Sequence, residues 1–143
     1  MLAWRLCRAP FADLSGEGAR RYGGRWNRPG RPVVYAASSA ALAVLEVRVH
    51  LDLPPHLLPD DYRLLTIDLG DLATEVVAAL PADPAAFGDA WLLERRSAVL
   101  QVPSLIVPES ANLLLDPAHP DAASARIVDQ RSFGFDRRLW GRE

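Results

Sequence analysis

The chain has 143 residues and not one is lysine; it holds one cysteine, one methionine and three histidines. Each scarcity excludes something. With Cys7 alone, no internal disulfide can form and a structural zinc site of the cysteine type is ruled out. His50, His56 and His119 are not spaced as metal ligands, and two of them sit in proline-rich loops, so no metal is expected. No apolar run approaches the roughly 18 residues of a membrane span. Trp4, Arg5 and Arg8 interrupt the place where a signal peptide would need an unbroken apolar core. The expected setting is cytoplasmic, with no membrane partner. There is no glycine fingerprint between a strand and a helix and no regular alternation of the two, which argues against a dinucleotide-binding Rossmann unit. A Ser-His-Asp hydrolase would lack its nucleophile elbow.

What is present is a balanced, apolar chain. The 16 basic residues, all arginine, face 18 acids, for a net charge of -2. Such a balance gives no overall pull toward nucleic acid, and any anion must be held by a local cluster. The missing lysine reads as coding bias in a GC-rich genome, although arginine suits bidentate phosphate contacts. Half of the residues are hydrophobic, enough at this length for a single domain over residues 1–143 to bury a core.

Alternation predicts a strand over 2–7, with Leu2, Trp4 and Leu6 on one face and Arg5 and Cys7 on the other. Residues 11–31, rich in glycine and arginine, read as a long irregular segment of the kind that is functional or disordered; Tyr22 and Trp26 favour order. A strand follows over 32–36, then a helix capped by Ser38 or Ser39 and running to about Leu51, apolar almost all round and so expected to be buried. Further strands are expected near 64–69, 98–102, 105–107, 112–115 and 125–129, a weak segment over 72–80, and an amphipathic helix over 87–96. Many short strands and two convincing helices predict an α+β domain with a mixed or antiparallel sheet.

Three residues stand out. Arg25 follows Gly23 and Gly24, which would let the backbone approach a ligand while the guanidinium forks onto a phosphate or carboxylate; a surface arginine in a flexible turn is as good a reading. Tyr35 closes an apolar strand before a helix N-terminus and is either a core tyrosine or a stacking platform for a planar ring. Glu46 lies in an apolar helix, where a carboxylate needs a partner. It could stabilise an oxocarbenium-like charge or bind ribose hydroxyls, or pair structurally with His50, four residues on, or with an arginine. Ser104, Ser110 and Asn112 are short polar groups at strand ends, able to bind a ligand and equally able to form turns.

Taken together, Gly24-Arg25-Trp26-Asn27, Val33-Val34-Tyr35-Ala36 with Ser38, Leu45-Glu46 through His50, Val102-Pro103-Ser104, and Asn112 with Leu115-Asp116-Pro117-Ala118-His119-Pro120 resemble the RES domain family over nearly the whole chain. The resemblance implies an ADP-ribosyltransferase-like fold. It also implies a toxin of a toxin–antitoxin module that cleaves NAD+ by hydrolysis or phosphorolysis, needing no cofactor beyond NAD+ as substrate and phosphate as a possible co-substrate. An Xre-like antitoxin is the implied partner; a homodimer is conceivable and direct nucleic-acid binding is not expected. Carried over, Arg25, Tyr35 and Glu46 match the family's active-site arginine, tyrosine and glutamate. Ser104 is the better match for its serine and Ser110 the rival, with Asn112 nearby. Apart from the match, Asn112 and His50 are candidate substrate contacts, His50 being equally an orienting partner of Glu46 or a packed histidine. Asp116 stands where many relatives have asparagine, a cost to binding if it touched a diphosphate. Two other readings share these residues: transfer of ADP-ribose onto a host protein, and a non-enzymatic nucleotide-binding domain.

Overall fold

The computed structural model describes residues 1–141. The predicted first strand is β1 (Leu2–Arg8), and it pairs antiparallel along its whole length with β3 (Tyr62–Asp68), Leu2 opposite Asp68 and Arg8 opposite Tyr62. β2 (Val34–Ala37) lies on the other side of β1 but shares only the Trp4–Ala37 pair with it; its full partner is β6 (Ala111–Leu115). β5 (Val99–Pro103) runs antiparallel to β6, β4 (Thr74–Val76) runs parallel to β5, and β7 (Arg126–Ser132) closes the far edge on β3. The result is one seven-stranded sheet in the order β4-β5-β6-β2-β1-β3-β7. This is the α+β class with a mixed sheet that the pattern predicted. The single pair between β1 and β2 means that the sheet parts there, and the site is built in that gap.

Three helices pack on this sheet. α1 spans Glu17–Tyr22, α2 spans Ala40–Arg48 and α3 spans Pro84–Leu93. The Ser39 hydroxyl accepts from the Leu42 amide and starts α2; Asp83 does the same for α3 through Ala86, with Pro84 at the first helical position, where its missing N–H costs nothing. α2 buries Leu42 and Ala43 against Leu6, Ala37, Tyr62 and Leu64. α3 buries Trp91 and Leu92 against Leu100, Val102 and Leu114. Each large apolar side chain removed from water in this way is worth about 1.5–3 kcal/mol. The opposite face of β1 and β3 contributes Ala3, Cys7, Leu65 and Ile67 to a further apolar cluster with Val34, Val99 and Leu113.

The structure departs from the expectations in four places. The segment 11–31 is not irregular throughout: α1 forms within it, and periodicity could not reveal it because it has six residues, includes Gly18, and starts on Gly16 in the left-handed conformation with no side-chain cap. Salt bridges from Arg20 and Arg21 to Glu17 support it. α2 stops at Arg48 rather than Leu51 and is not buried all round, since Val44, Leu45 and Val47 are only partly covered and Val49 is exposed. Residues 105–107 form a loop, not a strand, because the Ser104 hydroxyl captures the amides of Ile106 and Val107. The second predicted helix starts earlier, at Pro84, and ends at Leu93.

Candidate active site

A cleft of about 560 Å³ opens where β1 and β2 diverge. Trp4, Arg5, Leu6 and Cys7 all line it, although neighbours on a strand face opposite ways. Both parities reach one cleft because this edge of β1 is largely unpaired. Tyr35, Ala36 and Ala37 of β2 and Asn112 of β6 line it as well, α2 supplies Glu46 and Val47 with His50 and Leu51 just beyond its end, and α1 supplies Gly18, Ala19 and Tyr22.

Arg25 sits at the tip of a tight reversal: the Gly24 amide donates to the Asn27 carbonyl at 2.9 Å and the Asn27 amide donates back at 3.3 Å. Its neighbours hold that reversal from beneath. The Tyr35 hydroxyl accepts from the Trp26 amide at 3.0 Å and donates to Asn27 Oδ1 at 2.6 Å, while Asn27 Nδ2 donates to the carbonyls of Ala19 and Arg28. Asn27 is 2% exposed, so every polar atom of its side chain is satisfied inside the protein. Gly24 is required by this packing, because a Cβ there would lie 2.7 Å from the Tyr35 hydroxyl. Trp26 is buried edge-on against Phe87, and its carbonyl oxygen lies 1.7 Å from where a Cβ of Gly88 would be. Burial, more than any neighbouring charge, pushes the Tyr35 phenol above its ordinary range, so it stays a neutral donor. The Arg25 side chain itself is exposed at the cleft.

Glu46 takes its hydrogen bond from Ser104, not from His50: the Ser104 hydroxyl donates to Glu46 Oε1 at 2.8 Å. A serine hydroxyl has one proton and two lone pairs. Here the amides of Ile106 and Val107, each at 3.1 Å, occupy the acceptor side, which leaves the proton for the carboxylate. Ser104 is 1% exposed. Ser110 has a different place: its carbonyl accepts from the Ser104 amide and its amide donates to Val107, so its main chain closes the turn that carries Ser104, and its side chain does not line the cleft. Asn112 lines the cleft, and His50 stands exposed at its rim.

Asp116 is buried away from the cleft, where it accepts from the Ala118 amide and pairs with Arg95 at 3.3 Å, so the anticipated clash of its charge with a ligand does not arise. His119 caps a short turn by accepting from the Asp121 amide. Among the described residues no group of three His, Cys, Asp or Glu side chains could hold a metal ion, and no helix is long and apolar enough to cross a membrane.

The sequence reading passed over Arg5. Its guanidinium donates to the Tyr35 carbonyl at 3.1 Å, spanning the gap between β1 and β2, and its Nε is buried with no partner. An unpaired buried N–H is rare and costs about 1–3 kcal/mol. A signal was present: alternation puts Arg5 on the same face of β1 as Ala3 and Cys7, two core residues, where an arginine needs partners for its donors. The Cys7 thiol beside it is pushed up by burial and stays protonated.

The RES domain model matches residues 2–136. Toxin Res of Pseudomonas putida is 40% identical over 98% of this chain and 100% of its own length. The Prs ADP-ribosylating toxin of a Sphingobium species is 46% identical over 89% of this chain and 86% of its own. MbcT of Mycobacterium tuberculosis, an NAD(+) phosphorylase, is 48% identical over 65 residues, which are 42% of this chain and 35% of MbcT. The crystal structure of the MbcT–MbcA toxin–antitoxin complex superposes with a TM-score of 0.74 at 25% identity, covering 93% of this chain and 84% of that one. The shared sheet is the ADP-ribosyltransferase-like fold expected from the sequence, and the match runs from the first strand to beyond the last; the chain belongs to the RES domain family.

Proposed function

We propose that this protein is an NAD+-consuming toxin that breaks the bond between nicotinamide and ribose, with water or phosphate as acceptor. The observation that carries the reading is the Glu46 carboxylate on the cleft wall, fixed by a buried serine whose proton has no other partner. In NAD+ the nicotinamide is cationic and leaves neutral, so little acid catalysis is needed. What is needed is negative charge beside C1′ as the ribose becomes oxocarbenium-like, and a preorganised carboxylate supplies it without reorganisation at the moment of reaction. The nicotinamide–ribose pair of electrons leaves with the ring nitrogen, and an oxygen of phosphate, or of water giving up a proton to solvent, forms the new bond to C1′. Arg25 and Arg5, two guanidiniums facing one cleft, suit the diphosphate. Tyr35 keeps the Arg25 turn in position from below. A volume of about 560 Å³ lies within the range of small-ligand sites. NAD+ is substrate here, and no further cofactor is called for.

The relatives support this reading at a coarser level: they are toxins, one of them an NAD(+) phosphorylase. A second acceptor has its own support, because the relative at 46% identity is an ADP-ribosylating toxin and the rim of this cleft is exposed at Tyr22, Arg25 and His50, within reach of a protein. By analogy with the MbcT–MbcA complex, a cognate antitoxin is the proposed partner, of the Xre-like class that the family resemblance implies. The test is chromatographic. Purified protein with NAD+ should release nicotinamide together with ADP-ribose in phosphate-free buffer, or with its 1-phosphate when phosphate is added. Nicotinamide release only when a host protein is supplied, with label on that protein, would favour the transferase. No release under any of these conditions would contradict the proposal.

A further inference from the structure

One wall of the cleft has no role in the chemistry at Glu46. α1 turns Gly18, Ala19 and Tyr22 toward the cleft, residues three and four apart that share a helix face. Both small residues line the cleft at a place flanked by aromatic rings, Ala19 resting in part on the core cluster around Trp26. Phe11 packs on Gly18, its ring 3.4 Å from where a Cβ of that glycine would be, and Tyr22 is 75% exposed although it lines the cleft. Tyr35 is unlike Tyr22, because its ring lies against Gly24 and its hydroxyl is committed to the Arg25 turn. Tyr22 is therefore the tyrosine of the cleft with a ring left open. It also ends the helix just before the Gly23-Gly24-Arg25 turn, so a group bound over α1 is adjacent in the chain to the guanidinium assigned to the diphosphate.

From this we infer that the slot over Gly18 and Ala19, walled by Phe11 and Tyr22, is the subsite for a flat heteroaromatic ring, the adenine end of the dinucleotide. The assignment rests on the reading of the cleft as an NAD+ site. It needs no polar contact to the base: a π-face meets any purine, and Gly18, Ala19, Phe11 and Tyr22 offer mainly apolar and aromatic surface. Stacking of a base on an aromatic side chain corresponds to roughly tenfold or more in affinity.

Nicotinamide release from NAD+ and from nicotinamide mononucleotide, which lacks the adenylate, tests the assignment in the full-length protein. Tyr22→Ala should raise KM for NAD+ about tenfold, Tyr22→Phe should restore it, and the penalty should be absent with the mononucleotide. An equal rise with both substrates, or none with either, would overturn the subsite. A second arm needs no turnover: ADP binding measured by calorimetry should weaken about tenfold in Tyr22→Ala, and equal binding would overturn the proposal. If the wild type releases no nicotinamide yet binds ADP in a Tyr22-dependent way, the cleavage reading fails and the subsite stands.

Discussion

Ser104 makes every hydrogen bond that its hydroxyl allows, and the consequences of removing it follow from that count. In Ser104→Ala the amides of Ile106 and Val107 lose their acceptor and Glu46 loses its donor. A buried group left unpaired costs about 1–3 kcal/mol, so the variant should melt earlier and its turnover should fall about tenfold or more as the carboxylate loses its orientation. Wild-type turnover from a folded Ser104→Ala protein would remove the serine from the mechanism. Tyr35 gives a prediction in pH. Its folded phenol is held above the ordinary value of 10.0, so below pH 10 both states keep the proton and stability does not change on this account. Above pH 10 the unfolded chain releases the proton while the folded protein retains it, and stability falls as pH rises. Tyr35→Phe should lessen the alkaline slope in urea melts compared at pH 8 and pH 10.5, the remainder including the buried Cys7 thiol, which acts with the same sign; an unchanged slope would place its origin elsewhere. The choice between Ser104 and Ser110 was not legible in the sequence, because both follow a proline-containing strand end and only the fold reveals which hydroxyl meets a carboxylate 58 positions away.

Among the elements, β1 and α2 were legible because each carries its own signal: alternation in one, a serine cap in the other. The extent of α2 burial was not. An apolar surface all round implies cover on every side, but here one flank faces the cleft rather than a packed neighbour. The loop over 105–107 has strand-like composition, and a single buried hydroxyl overrides it. The contact between α3 and the Arg25 turn is also tertiary, and it has a sharp consequence. Gly88→Ala would set a methyl 1.7 Å from the Trp26 carbonyl oxygen, so helix and turn must separate. Overpacking of this kind costs about 1–3 kcal/mol. Separation at this contact displaces the turn that carries Arg25, so KM should rise along with the loss of stability. Denaturation and steady-state kinetics on the same preparation would check both, and wild-type values in each would refute the packing argument.

At the scale of the molecule, the feature that makes the site is an interruption in the sheet. β1 and β2 share one pair where full strands would share several, and the gap lets Arg5, Tyr35, Glu46 and Arg25 face one volume. No local pattern encodes such a gap, since it depends on β2 taking β6 as its full partner across some 75 residues of chain. The α+β class was accessible from the strand and helix pattern and the family from the ordered set of motifs, and the arginine, tyrosine and glutamate matched there line one cleft; the α1 wall required the fold. The central claim is that Glu46 acts on charge developing in NAD+ and does not merely support the fold. Turnover of NAD+ by Glu46→Gln, in a preparation shown to melt like wild type, tests it most directly. A loss of about 10²–10³ in kcat with substrate binding nearly unchanged is expected, and turnover within a few-fold of wild type would contradict a chemical role for Glu46.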